Sequence, residues 1–160
     1  MKNEIIYTHI LIESLKKKKE ALEEILKCTQ KQEEVLAEEN FDEEIFDTLI
    51  DRKQQYITVI NNLDEGFDLT FERVKGELDQ HREMFKNEIL SLQELIRQVT
   101  DLSTRIQVLE NRNKLAFEKK MKTKRENIKM ARKSSQSVSK YYQNAANAHM
   151  GESIFLDKKK

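Results

Sequence analysis

Apolar residues recur every three or four positions from Ile5 to Ile128, with few lapses. That period gathers them on one face of an α-helix, whereas a half-buried strand would alternate every two. Over about 3–38 the stripe is Ile5, Thr8, Leu11, Leu15, Leu22, Ile25, Thr29 and Leu36, widened by Ile12, Leu26, Cys28 and Val35. Lys18 interrupts it, and the run from Lys16 to Lys19 is expected on a solvated turn, its stems lying along the apolar surface. Asn40-Phe41-Asp42-Glu43 punctuates the pattern. Asn40 can cap the next helix through its side-chain oxygen, with Glu43 three residues on as a capping box requires. A tight turn here folds a second helix, about 42–77, back antiparallel on the first.

The second stripe runs through Phe46, Leu49, Lys53, Tyr56, Ile60, Leu63, Phe67, Phe71, Val74 and Leu78. Gly66 weakens a helix by about 1 kcal/mol, but the heptad phase continues across it, so the helix is read as unbroken. Matching the first helix in length places the second turn near 76–80. Phe85, Ile89, Leu92, Ile96, Val99, Leu102, Ile106, Leu109, Phe117, Met121 and Ile128 then predict a third helix, about 81–142, longer than the others. Beyond Tyr142 the pattern fails, and 144–160 reads as a flexible tail with one apolar island, Ile154-Phe155-Leu156. The expected fold is all-α: an elongated antiparallel three-helix coiled-coil bundle, a single domain over 1–143, with a long third helix and a flexible C-terminal tail.

Composition agrees with that shape. The 160 residues include no proline and three glycines, with 38% hydrophobic and 36% charged residues. That is too polar for a broad globular core and suits helices of which only a stripe is dry. Apolar runs reach only two or three residues, so no span of a bilayer is expected. Met1-Lys2-Asn3-Glu4 lacks the build of a signal peptide, and the single Cys28 allows no internal disulfide, so a cytoplasmic setting is expected. Beside the stripe, Cys28 reads as a small buried hydrophobe.

Charge is balanced overall but segregated along the chain. The stretch 20–47 holds eleven acids against Lys27 and Lys31, and the stretch 111–140 holds eleven bases against Glu118 and Glu126. The basic stretch could meet nucleic-acid phosphates, or it could neutralise the acidic stretch in the same chain or in a second copy. The near-equal opposite charges, and the lack of stacking aromatics between Phe117 and Tyr141, favour the second reading.

No candidate chemistry emerges. His9, His81 and His149 stand far apart, without the clustered ligands of a zinc site or the paired Glu-x-x-His of a di-iron bundle. There is no Gly-rich phosphate loop and no nucleophile with a base in view. Neither an enzyme nor a cofactor is expected. Phe117, Met121, Ile128, Met130 and Val138 form a sparser stripe, and methionines adapt to varied partners. Either the third helix bends back and buries them, or they form an amphipathic face that receives a helix from a partner.

Several short words carry a family likeness. Glu38-Glu39-Asn40-Phe41-Asp42 leads into a second helix bearing Lys53-Gln54, and the third helix holds Gln107-Val108-Leu109-Glu110-Asn111-Arg112-Asn113. A basic run then ends in Tyr141-Tyr142, and the chain closes on Ser153-Ile154-Phe155-Leu156-Asp157-Lys158-Lys159-Lys160. Together these resemble the FlgN family of flagellar export chaperones, in the form found in Firmicutes. The resemblance implies a cytoplasmic chaperone that binds the amphipathic C-terminal helix of late flagellar, hook–filament junction proteins. It would prevent their premature assembly and deliver them to the type III export apparatus. It also implies a binding stretch over 106–142, with Ile106, Leu109, Phe117, Met121, Ile128, Met130, Val138, Tyr141 and Tyr142 as contacts. The alternatives are a self-associating structural coiled coil, as in a homodimer, and a nucleic-acid-binding helical protein.

Overall fold

The computed structural model describes residues 2–124 and 136–144. Three helices account for most of them: α1 (Lys2–Ala37), α2 (Glu43–Gln80) and α3 (Lys86–Thr123). They run up, down and up, with α1 packed along both α2 and α3. Gln32 of α1 meets Phe46 near the start of α2, and Ser14 meets Leu63 farther along it, so this pair is antiparallel. Thr29 meets Glu110 and Glu33 meets Arg112, so α1 and α3 are parallel. A further helical segment is described over 136–144, and it packs against the bundle.

The buried positions obey strict heptad spacing. On α1 they include Thr8, Leu11, Leu15, Lys18, Leu22, Ile25, Thr29, Gln32 and Leu36. On α3 they are Leu92, Ile96, Val99, Ser103, Ile106, Leu109, Glu110, Asn113 and Phe117. Alternating steps of three and four keep one seam facing the neighbouring helices. Each fully buried Leu, Ile or Phe contributes about 1.5–3 kcal/mol of transfer free energy. Two apolar clusters result. The distal one, at the α1–α2 turn, contains Leu36, Phe41, Phe46, Ile50, Ile106 and Phe117; the proximal one, at the α2–α3 turn, contains Leu11, Phe71, Val74, Phe85 and Leu92.

Several boundaries differ from the sequence expectation. The cap of α2 is Asp42, whose carboxylate accepts from the Ile45 amide at 3.1 Å, two residues beyond the expected Asn40. That carboxylate also faces the positive end of the helix dipole. α2 continues through Gly66 and Gly76 to Gln80, and the turn occupies 81–85. It needs no glycine, because its bonds from the Phe85 amide to the His81 carbonyl, and from Ile89 to Phe85, stay near helical geometry. No described residue has positive φ. α3 begins at Lys86 and ends at Thr123, where a third helix reaching about Tyr142 was expected. At 38 residues it matches α2, and each is about 57 Å long.

Other expectations fail by face. Ile5 is 47% exposed, and Leu63 and Tyr56 are only half-buried, while Ile57 takes the core position near Tyr56. Lys18 is not on a solvated turn: it is 3% exposed and bonds Asp64 at 2.7 Å. Cys28 is buried, and burial pushes its thiol pKa up against the opposing pull of Arg52. The expected tail over 144–160 lies almost wholly outside the described residues.

Candidate functional site

The distal half gathers most residues expected to contact a partner, but it turns them inward. Ile106, Phe117, Val138 and Tyr141 belong to one buried cluster, and Met121 and Tyr142 pack partly buried against it. Leu109 is buried as well. Ile128 and Met130 lie outside the described residues. The third helix therefore does not present Phe117 to solvent. The Phe117 ring stacks on Phe46 at 5.1 Å, and both meet Phe41 edge-on, so three aromatics fill the end of the bundle. Val138 and Tyr141 then cover the side, spaced as one turn of the segment 136–144.

Beneath that segment lies a polar layer drawn from all three helices. Glu110 of α3 is 3% exposed, and its Oε1 accepts from Lys53 of α2 at 2.5 Å and from the Tyr141 hydroxyl at 3.1 Å. The Thr29 hydroxyl of α1 stands 2.8 Å from the same oxygen and 2.7 Å from the Ile25 carbonyl, and its one proton serves one of them at a time. Asn113 donates to the Thr29 carbonyl at 3.0 Å. Lys53 Nζ also sits 4.1 Å from the centre of the Tyr141 ring, a cation–π contact. Among the described residues, Glu110 Oε2 and the Tyr142 hydroxyl are buried with no hydrogen-bond partner.

Burial dominates the electrostatics of this layer. It pushes the Lys53 ammonium below its usual pKa, against the stabilising charge of Glu110. It raises both tyrosines well above theirs, and the Glu110 carboxylate adds to the shift by repelling a phenolate. Under neutral conditions Tyr141 is thus a fixed hydrogen-bond donor.

Sequence reasoning assigned Lys53 to the second stripe but did not foresee Gln32, Ser103, Glu110 and Asn113 as core residues. The available signal was spacing. The series Leu92, Ile96, Val99 continues through 103, 106, 110, 113 and 117 in unbroken steps of three and four, whatever the residue type.

The acidic and basic stretches meet within one chain. Arg112 pairs with Glu33 at 2.6 Å, Lys120 donates to the Glu38 carbonyl at 3.0 Å, and Lys124 reaches both Glu43 and the Phe41 carbonyl. A second apolar feature lies far from this layer. It is an open groove of about 600 Å³ between α1 and α2, lined by Ile5, Ile6, Ile10, Leu63, Gly66 and Phe67. Among the described residues there is no group of three or more His, Cys, Asp or Glu side chains able to hold a metal ion. No helix among them is long and apolar enough to cross a membrane.

A family model described as FlgN protein matches residues 1–149. No curated protein and no solved structure matches the chain.

Proposed function

The chain belongs to the FlgN family of flagellar export chaperones, and on that premise we propose that it binds the C-terminal amphipathic helix of hook–filament junction proteins through its distal half. In this reading it works in the cytoplasm, shields those subunits from premature assembly and hands them to the export apparatus. One observation carries the assignment of the surface. The distal half already seats an amphipathic helical segment, 136–144, which inserts Val138 and Tyr141 into the cluster that holds Ile106 and Phe117. Helix-in-groove recognition uses the same anchors at three- and four-residue spacing. Lysines and arginines around the site, such as Lys120 and Lys124, would steer an acidic client face toward it.

The test is calorimetric titration of the full chain with a synthetic peptide of a hook-associated protein's C-terminal helix. One-to-one binding is expected. Met121→Glu should weaken it at least tenfold while helical content stays unchanged, because Met121 is only partly buried. Phe117 is unsuitable for this purpose, since a charge placed against Phe46 would unfold the bundle. Absence of binding by the parent chain defeats the reading; unchanged binding by Met121→Glu defeats the surface. The self-associating coiled coil has less support, because Arg112 and Lys124 find acidic partners in their own chain.

A further inference from the structure

We propose that the seam between α2 and α3 under 136–144 is a docking groove for a partner helix carrying an apolar anchor and, about one turn away, a hydrogen-bond donor for Glu110, and that 136–144 occupies it as a surrogate. The inference rests on the reading that this chain binds a client helix, and it adds the chemistry of recognition and the competitor.

The first support is the state of Glu110. An ionised carboxylate has roughly four acceptor sites, yet all its donors converge on Oε1 and Oε2 has none. An occupant of the seam must therefore supply a donor at Glu110, as Tyr141 does. A wholly apolar helix would remove the tyrosine hydroxyl and bury the carboxylate with one partner fewer. The groove thus discriminates against the greasiest ligands, a form of specificity that apolar burial cannot provide.

The second support is how lightly the surrogate is held. Within 136–144 only Val138 and Tyr141 are buried, and Gln136, Ser137, Ser139, Lys140 and Gln143 face solvent. The Tyr142 hydroxyl, buried without a partner, is a standing cost that departure relieves.

The third support is the composition of the floor. When the segment leaves, water reaches Lys53 and Glu110, and hydration of two charges offsets part of the lost apolar burial. A groove floored only by leucine and phenylalanine would have no such compensation. The polar layer therefore makes the empty groove accessible during exchange.

Tyr141→Phe separates the lock from the packing, because it keeps the ring beside Lys53 and removes only the donor. Two readouts are taken on the full chain. Amide hydrogen exchange at 136–144 should accelerate about tenfold, with core amides of α1–α3 unchanged. The client-helix peptide should bind about tenfold more tightly than to the parent, roughly 1.4 kcal/mol. A matched peptide with its Tyr changed to Phe and its Ser and Thr to Ala should bind the parent about tenfold more weakly. Unchanged exchange in Tyr141→Phe overturns the lock; unchanged peptide affinity overturns the competition; equal affinity of the two peptides overturns the required donor. If no peptide binds either protein, the client reading fails, and the exchange result still decides the lock.

Discussion

The two halves of the bundle are built on the same heptads but close differently. In the proximal half the α2–α3 turn seals the end, Phe85 plugs it at 2% exposure, and Leu11, Leu15, Phe67, Phe71, Leu92 and Ile96 pack in one apolar cluster. In the distal half α2 begins and α3 ends, so no turn joins them. That seam carries Thr29, Lys53, Glu110 and Asn113, and needs a fourth segment to cover it. Among the described residues each half also has one buried lysine, with different surroundings. Lys18 meets an Asp64 whose side chain keeps 17% exposure, whereas Lys53 and Glu110 retain 0% and 4%. A bundle can thus be a finished scaffold at one end and an unfinished, polar-floored groove at the other without any change of helical period.

The largest effect should come from breaking the distal pair. Lys53→Met leaves Glu110 charged and buried, and should cost about 3–5 kcal/mol, read as a lower urea midpoint with unchanged slope. Lys53→Met with Glu110→Leu should recover more than half of that loss, because neither charge then remains to be desolvated. Lys18→Met should cost distinctly less, since Asp64 can hydrate. If the two single lysine variants lose equal stability, the halves do not differ in the way described.

A smaller effect should appear at alkaline pH. Tyr141 and Tyr142 have folded-state pKa values above the unfolded value of 10.0. Their contribution is fully present below pH 10 and is lost as pH rises above it, because the unfolded chain then releases protons the folded chain keeps. Each tyrosine removes up to about 1.4 kcal/mol per pH unit in that window. Lys53 acts in the opposite sense: its lowered pKa makes the folded chain the weaker proton binder just below 10.5, so its penalty eases with rising pH. Comparing the parent with Tyr141→Phe isolates the tyrosine. Urea unfolding at pH 9, 10 and 11 should show a shallower decline in the variant. Identical declines would mean that the distal seam is already wet.

Much of this architecture was legible from spacing alone, because a heptad stripe without proline permits little besides long packed helices. The first turn was visible at Asn40-Phe41-Asp42-Glu43, although the neighbouring Asp42 makes the cap. The second turn was misplaced because the second helix was expected to match the first in length, which put its end near Gly76 rather than at Gln80. An interior glycine costs about 1 kcal/mol, which the flanking Phe71, Val74 and Leu78 readily outweigh. The site was harder to read. Glu110 and Asn113 occupy seam positions, but residue type alone puts a glutamate in water, and nothing local announces the Lys53 that joins it from 57 residues away. Phe117, Val138 and Tyr141 share one buried cluster, yet whether such a region faces a partner or its own chain depends on a tertiary return that no helical period encodes.

The smallest effect concerns the scaffold half. Gly66 and Gly76 sit inside α2, and a methyl group at either would meet nothing within 4 Å. Neither has positive φ, so alanine fits the native backbone and restricts the unfolded chain. Gly66→Ala and Gly76→Ala should each stabilise the protein by about 0.4–1 kcal/mol, raising the urea midpoint without touching the distal exchange rates. The two sites are not equivalent, because Gly66 lines the open groove with Ile5, Ile6 and Ile10. Equal gains would show that both glycines are helix interior and nothing more. A gain at Gly76 with none at Gly66 would show that the α1–α2 groove constrains that position, and the proximal half would no longer count as a finished scaffold.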